Sequence, residues 1–211
     1  GMDSATITAI AKNEGYELAA LHLNYGQRTE NREFQAFNDL CNYYNIIHRL
    51  SVDVKYLSQI GGSSLTDLSM NVEKGDLDKK EIPATYVPFR NANILAIATS
   101  WAEVINANAL FIGAMEGDSS GYPDCRQSFF SAFQQTINLG TKPETNIEIK
   151  VPIINMTKSD IVKVGLELQV PFELTWSCYV NSDVPCGECD SCLLRKRGFD
   201  NAGVSDPLLK M

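Results

Sequence analysis

Positive charge is scarce in this 211-residue chain: 18 Lys and Arg stand against 26 Asp and Glu, a formal net charge of -8. Nothing neutralises phosphates in bulk, which argues against a general nucleic-acid binder. No apolar run approaches the ~18 uninterrupted residues of a membrane span, and no secretory leader is visible. Internal repeats and low-complexity tracts are missing too. What is present is an apolar share of 44%, enough for a core and too much for a disordered chain. The length suits one domain of roughly 200 residues, alone or with a small appendage, and the class that best fits is a small-molecule enzyme.

The cysteines are unevenly placed. Cys41 and Cys125 stand alone, whereas Cys178, Cys186, Cys189 and Cys192 follow one another closely. A disulfide scaffold spreads its cysteines over a short secreted chain, so this clustering points instead to a reducing cytoplasm and a metal. The spacing Cys178-x7-Cys186-x2-Cys189-x2-Cys192 offers four thiolates, the set that tetrahedral Zn²⁺ prefers, and two intervening residues let a tight turn bring both sulfurs to one ion. No further ligand is needed, so a closed structural site with one zinc per chain is expected. An iron–sulfur cluster is the alternative, since four thiolates suit either. Cys41 lies on the apolar stripe of a helix and reads as core packing. Cys125, beside Arg126, reads as the more reactive of the two lone thiols.

Strand and helix patterns alternate along the chain. Strands are expected at 18–25, 46–52, 109–114 and 147–154. Helices are expected at 5–13, 30–44 and 91–105, around Phe129 to Ile137, from Thr157 to about Leu168, and at the end around Arg195. Such alternation implies crossover connections and a parallel sheet covered on both faces. The expected fold is α/β, with a first strand and the leading half of a loop lying upstream of Gly1. Residues 61–86 break the pattern: they form either a lid or binding loop, or an exposed insertion. Residues 1–172 are expected as the main domain and 173–211 as a cysteine-bearing segment. The run Arg195-Lys196-Arg197 reads as a solvated face, and His22 as a satisfied core histidine.

Gly1-Met2-Asp3-Ser4 sits where a strand would turn into a helix, and such a turn aims N–H groups and a helix dipole at an anion. Ser4 could cap that helix; an ordinary capped helix is the plainer reading of so short a motif. Arg90 opens a helix after Pro88-Phe89, and Lys158 follows the cap at Thr157. Tyr122, Asp124 and Arg126 follow the carboxyl end of a strand, where open α/β sheets bind ligands.

Gly1-Met2-Asp3-Ser4 resembles the end of the SGGxDS signature of the PP-loop ATP pyrophosphatases. Further segments resemble the 7-cyano-7-deazaguanine synthase family of queuosine precursor synthesis: His22 to Arg28 with Glu30, Val87 to Asn91, Gly113 to Glu116, Asp118 to Arg126, and Glu173 to Cys178. Together they cover almost the whole chain in order. The resemblance implies a five-stranded parallel sheet, and ATP with Mg²⁺ bound at Gly1, Met2, Asp3, Ser4, Ala5 and Thr6. It also implies cleavage between the α and β phosphates, with Asp3, Ser4, Arg90 and Lys158 as catalytic groups. Substrate contacts would come from Tyr122, Asp124 and Arg126, and zinc would sit on the four clustered cysteines. The implied reaction converts 7-carboxy-7-deazaguanine and ammonia to the nitrile through adenylated intermediates, in a cytoplasmic homodimer that touches neither nucleic acid nor membrane. An ATP-dependent tRNA-thiolating enzyme on the same fold is the rival reading.

Overall fold

Pro152 decides how the last strand ends. Lacking an N–H, it cannot extend a ladder, and the strand expected over 147–154 stops at Lys150. The computed structural model describes residues 1–77, 81–117 and 121–210. Its elements are α1 (Met2–Asn13), β1 (Ala19–Asn24), α2 (Glu30–Tyr43), β2 (His48–Asp53), the short α3 (Tyr56–Ile60), α4 (Arg90–Ile105), β3 (Ala109–Phe111), α5 (Gln127–Gly140), β4 (Glu148–Lys150), α6 (Lys158–Glu167) and α7 (Asp190–Ala202). Single 3-10 turns lie at Pro123–Cys125, Phe172–Leu174 and Pro207–Lys210.

The expected helices form where polar punctuation stops them. α6 opens with a capping box, in which Thr157 Oγ1 accepts from the Asp160 N–H at 3.1 Å and Asp160 Oδ2 accepts from the Thr157 N–H at 3.0 Å. α4 begins at Arg90 after Phe89, which stands in the left-handed region at φ 57°, a conformation that costs a bulky residue energy. Met2 rather than Ser4 starts α1, so Ser4 lies inside the first turn and does not cap it.

The strands form two parallel pairs. β1 and β2 run together from Ala19↔His48 to Asn24↔Asp53, and β3 and β4 from Ala109↔Glu148 to Phe111↔Lys150. Among the described residues no ladder joins the pairs, whereas the resemblance implies one five-stranded sheet. Strands of a sheet lie about 4.8 Å apart, and no strand here bridges the two pairs. The same helices nevertheless cover both. On one face, Met2, Ala5, Ile7 and Ala9 of α1 share a core with Ala20 of β1 and Phe111 of β3. On the other, Ile94 and Ile97 of α4 pack with Leu21 and Leu23 of β1, while Leu95 packs with Leu110 and Ile149. Strand alternation accounts for the two faces, since Ala20 and Leu21 point oppositely. Each pair is thus the middle of a three-layer arrangement.

β4 has one neighbour, β3, and the Gln134 side chain covers its outer edge. Gln134 Nε2 donates to the Ile147 carbonyl at 2.8 Å, and its Oε1 accepts from the Ile149 N–H at 2.6 Å. A primary amide offers the donor and acceptor of a missing strand.

Candidate active site and metal centre

The carboxyl ends of β1 and β3 and the starts of α1, α4 and α6 carry the chemistry-bearing side chains. In α1 the first intrahelical bond joins the Ala5 N–H to the Gly1 carbonyl at 3.1 Å, and no side chain caps the turn. The N–H groups of Met2, Asp3 and Ser4 therefore have no partner inside the helix. Gly113, just past β3, lies against this turn so closely that a Cβ would come within 3.1 Å of the Asp3 carbonyl carbon and the Ser4 nitrogen. Of the residues implicated in nucleotide binding, Ser4 and Gly1 are exposed, whereas Met2, Ala5 and Thr6 are buried core.

Lys158 is buried at the first position of α6, and its Nζ donates to both Asp3 oxygens at 2.7 and 2.8 Å. A cation at a helix start opposes the helix dipole, and burial adds a desolvation penalty. Asp3 offsets both. Gly198 of α7 meets the Lys158 backbone closely: an added Cβ would lie 3.0 Å from the Lys158 carbonyl oxygen.

Arg90 stands across the site. Its Nη1 donates to Tyr25 Oη at 3.1 Å, with the guanidinium 5.3 Å from the Tyr25 ring centre. Burial keeps the Tyr25 phenol protonated, pushing it up to about 12. Tyr122 is buried, with its Oη 3.0 Å from Thr85 Oγ1, and Tyr179 hydrogen-bonds to it. Asp124 is committed to structure: its Oδ2 accepts the Asn91 N–H at 2.8 Å, which fastens the first turn of α4. Cys125 lies within electrostatic reach of both Asp3 and Arg90, and burial followed by the Asp124 charge pushes its thiol up to about 11. The more reactive thiol expected at this position is therefore poorly nucleophilic at neutral pH.

The cysteines at 178, 186, 189 and 192 converge, with all four Sγ atoms within 4.8 Å of one another. Cys178 Sγ accepts backbone N–H groups from Asn181 and Cys186 at 3.3 Å. A sulfur so surrounded by donors suits the thiolate that a metal requires. The cluster fits a metal ion by donor type, number and spacing.

The segment after β2 is fastened to this centre. The Gly75 N–H donates to the Glu188 carbonyl at 2.7 Å, the Asp76 N–H to Asp190 Oδ1 at 3.2 Å, and Val72 packs on the cysteine cluster. A Cβ on Gly75 would fall 2.7 Å from the Asp190 nitrogen. Arg28 holds the same segment from the other side, donating to the carbonyls of Ser64 at 2.7 Å, Asp67 at 2.9 Å and Met70. Ser63 to Thr66 are buried, so the segment is anchored at its start, while Leu68 to Asn71 are exposed. Residues 78–80 lie outside the described residues, as do Asp118 to Ser120 of the motif that ends at Arg126.

The structure thus brings Asp3 to Lys158, Arg90 to Tyr122 and Asp124, and the four cysteines together. It leaves Arg126 exposed at the N-cap of α5. Tyr25 and Tyr179 join the site without having been singled out as site residues, although Tyr25 lies inside the segment His22 to Arg28 and Tyr179 directly follows the segment that ends at Cys178. Arg195 corrects the reading of a solvated basic face. It is buried, with Nε and Nη2 donating to Asp206 at 2.6 and 2.8 Å and Nη1 to Thr175 Oγ1 at 2.6 Å. His22 also departs from expectation: it is half-buried between the Phe34 and Phe37 rings, and its Nε2 is buried with no hydrogen-bond partner. No helix among the described residues is long and apolar enough to cross a membrane.

Comparison with known proteins places the chain in a family. The family model described as "Queuosine biosynthesis protein QueC" matches residues 1–203. A 7-cyano-7-deazaguanine synthase of Chloroherpeton thalassium is 60% identical over 208 residues, covering 99% of this chain and 92% of the relative. Relatives of the same name from Chlorobium chlorochromatii and Chlorobaculum tepidum are 56% and 55% identical, with 99% of this chain covered and 91% and 92% of theirs. The chain belongs to the queuosine biosynthesis protein QueC family.

Proposed function

We propose that the protein is an ATP-dependent ligase that converts 7-carboxy-7-deazaguanine and ammonia to 7-cyano-7-deazaguanine. A carboxylate is a poor electrophile. Attack of its oxygen on the α-phosphorus of ATP expels pyrophosphate and turns that oxygen into part of an AMP leaving group. Ammonia then adds to the acyl carbon and AMP departs, leaving the amide. The amide oxygen repeats the attack on a second ATP; loss of the nitrogen-bound protons and of AMP leaves the nitrile. No side-chain nucleophile is consumed.

One observation carries the reading: the uncapped first turn of α1 beside a buried lysine. The N–H groups of Asp3 and Ser4, the Ser4 hydroxyl and the Lys158 ammonium would cradle the phosphates as charge moves onto pyrophosphate. Asp3 would hold Lys158 in place and help position Mg²⁺. Arg90 is the second cation facing the reacting groups. Tyr122 fits as an aromatic wall for the deazapurine, while Asp124 would act through α4 and not by direct contact. Zinc would sit on Cys178, Cys186, Cys189 and Cys192 as a structural ion, since the four thiolates leave no open position. The two strand pairs would belong to one five-stranded sheet, a reading supported by α1 and α4 each covering both pairs. The resemblance also carries a homodimer, which sedimentation would read.

Thiolation of tRNA needs reactive cysteines. Here four are gathered in one cluster and burial suppresses Cys125, so the ligase reading is favoured.

The products test it. With carboxylate, ATP and ammonium, AMP and pyrophosphate are expected, and Ser4→Ala should lower the rate by ~10²–10³ while keeping fold and metal, as for loss of one donor from a desolvated site. ADP and phosphate as products would overturn the assignment.

A further inference from the structure

The neighbours of Arg90 suggest a finer division of labour, one that rests on the ligase reading. Among the described residues no carboxylate lies within ion-pair distance of this guanidinium. Its hydrogen-bond partner among the described residues is a phenol oxygen, that of Tyr25. Asp124, the carboxylate whose charge acts on Arg90, has turned Oδ2 to the Asn91 N–H. A half-buried arginine surrounded by neutral tyrosines is a cation awaiting an anion, because burial without a counter-charge is costly.

The remaining donors have a specific geometry. Only Nη1 is engaged, so Nε and Nη2 remain as the planar fork that suits a carboxylate. Tyr25 accepts from Arg90, which leaves its own proton to be donated to the same anion. Tyr86 and Tyr122, with ring centres 5.5 Å apart, supply flat aromatic surface beside it. Cys125 lies within electrostatic reach of both Arg90 and Asp3, and Asp3 in turn holds Lys158, so the guanidinium neighbours the start of α1.

We propose that Arg90, assisted by the Tyr25 hydroxyl, is the receptor for the carboxylate of a planar heteroaromatic acid, and contributes to selection of the acid over the amide. The pair would hold one carboxylate oxygen and leave the other turned toward the start of α1, free to attack phosphorus. Once the amide forms, the negative charge is gone and Arg90 loses its partner. The second activation should therefore owe little to Arg90.

The full chain tests this by calorimetric titration with 7-carboxy-7-deazaguanine, its amide and ATP, each alone. Arg90→Gln should weaken carboxylate binding ~10–100-fold, the range for a lost charge-assisted hydrogen bond, with amide and ATP affinities within about threefold of the parent. Arg90→Lys should recover part of the loss. Tyr25→Phe, which keeps the ring, should weaken the carboxylate about 2–10-fold, as for a neutral hydrogen bond, and serves if the Arg90 variants do not fold. Equal losses for acid and amide would overturn the proposal, as would a loss confined to ATP, which would place Arg90 at the phosphates. Failure of the parent protein to form AMP from the acid would instead overturn the ligase reading itself.

Discussion

His22 shows how a single residue can make stability depend on pH. Burial lowers its pKa below 6.5, so the folded state binds its proton less readily than the unfolded state. The neutral form is the native one: the contribution is present above pH 6.5 and is lost as pH falls toward the folded value. The urea midpoint should drop between pH 7.5 and 5.5, and His22→Leu should flatten that dependence; an unchanged slope in the variant would place the titrating group elsewhere. The legible residues were those whose chemistry is local. Cys178 to Cys192 announce a metal centre by spacing alone, and Lys158 is marked by its cap. Tyr25 and Tyr179 were not legible, because each is recruited by contacts between distant segments: Tyr25 meets Arg90 across 65 positions. Arg195 was misread for a related reason, as its partner Asp206 lies beyond the helix.

Elements were legible where one period dominated, as in α2, α4 and α6, and less so where the chain is fastened at a distance. Residues 61–86 carry no period, yet Gly75 and Asp76 bond to Glu188 and Asp190 across 113 and 114 positions. Nothing in a local window records such a pairing. The attachment couples the segment to the cysteine cluster, because Glu188 sits between Cys186 and Cys189. Chelation should therefore raise amide hydrogen exchange at Gly75 and Asp76 together with Cys186 to Cys192, while α4 and α5 keep their protection. Exchange at Gly75 that ignored the chelator would break this link. Gly75→Ala should loosen the same segment with metal still bound, since its Cβ meets backbone at 2.7 Å.

For the whole molecule, layering followed from the alternation of strands and helices, but the division into two pairs did not, because hydrogen bonding between strands leaves no mark on periodicity. One detail of that arrangement bears on how the protein behaves at high concentration. Gln134 closes the outer edge of β4 with one donor and one acceptor, and an uncovered edge is a template for another chain. Gln134→Glu, the change that slow deamidation would make, removes the donor and sets a negative charge against the Ile147 carbonyl. Light scattering of that variant at rising concentration should grow faster than that of the parent, with little change in circular dichroism; identical scattering would show that the edge is protected by other means. The storage life of the protein would then be limited by the hydrolysis of one side-chain amide remote from the catalytic groups.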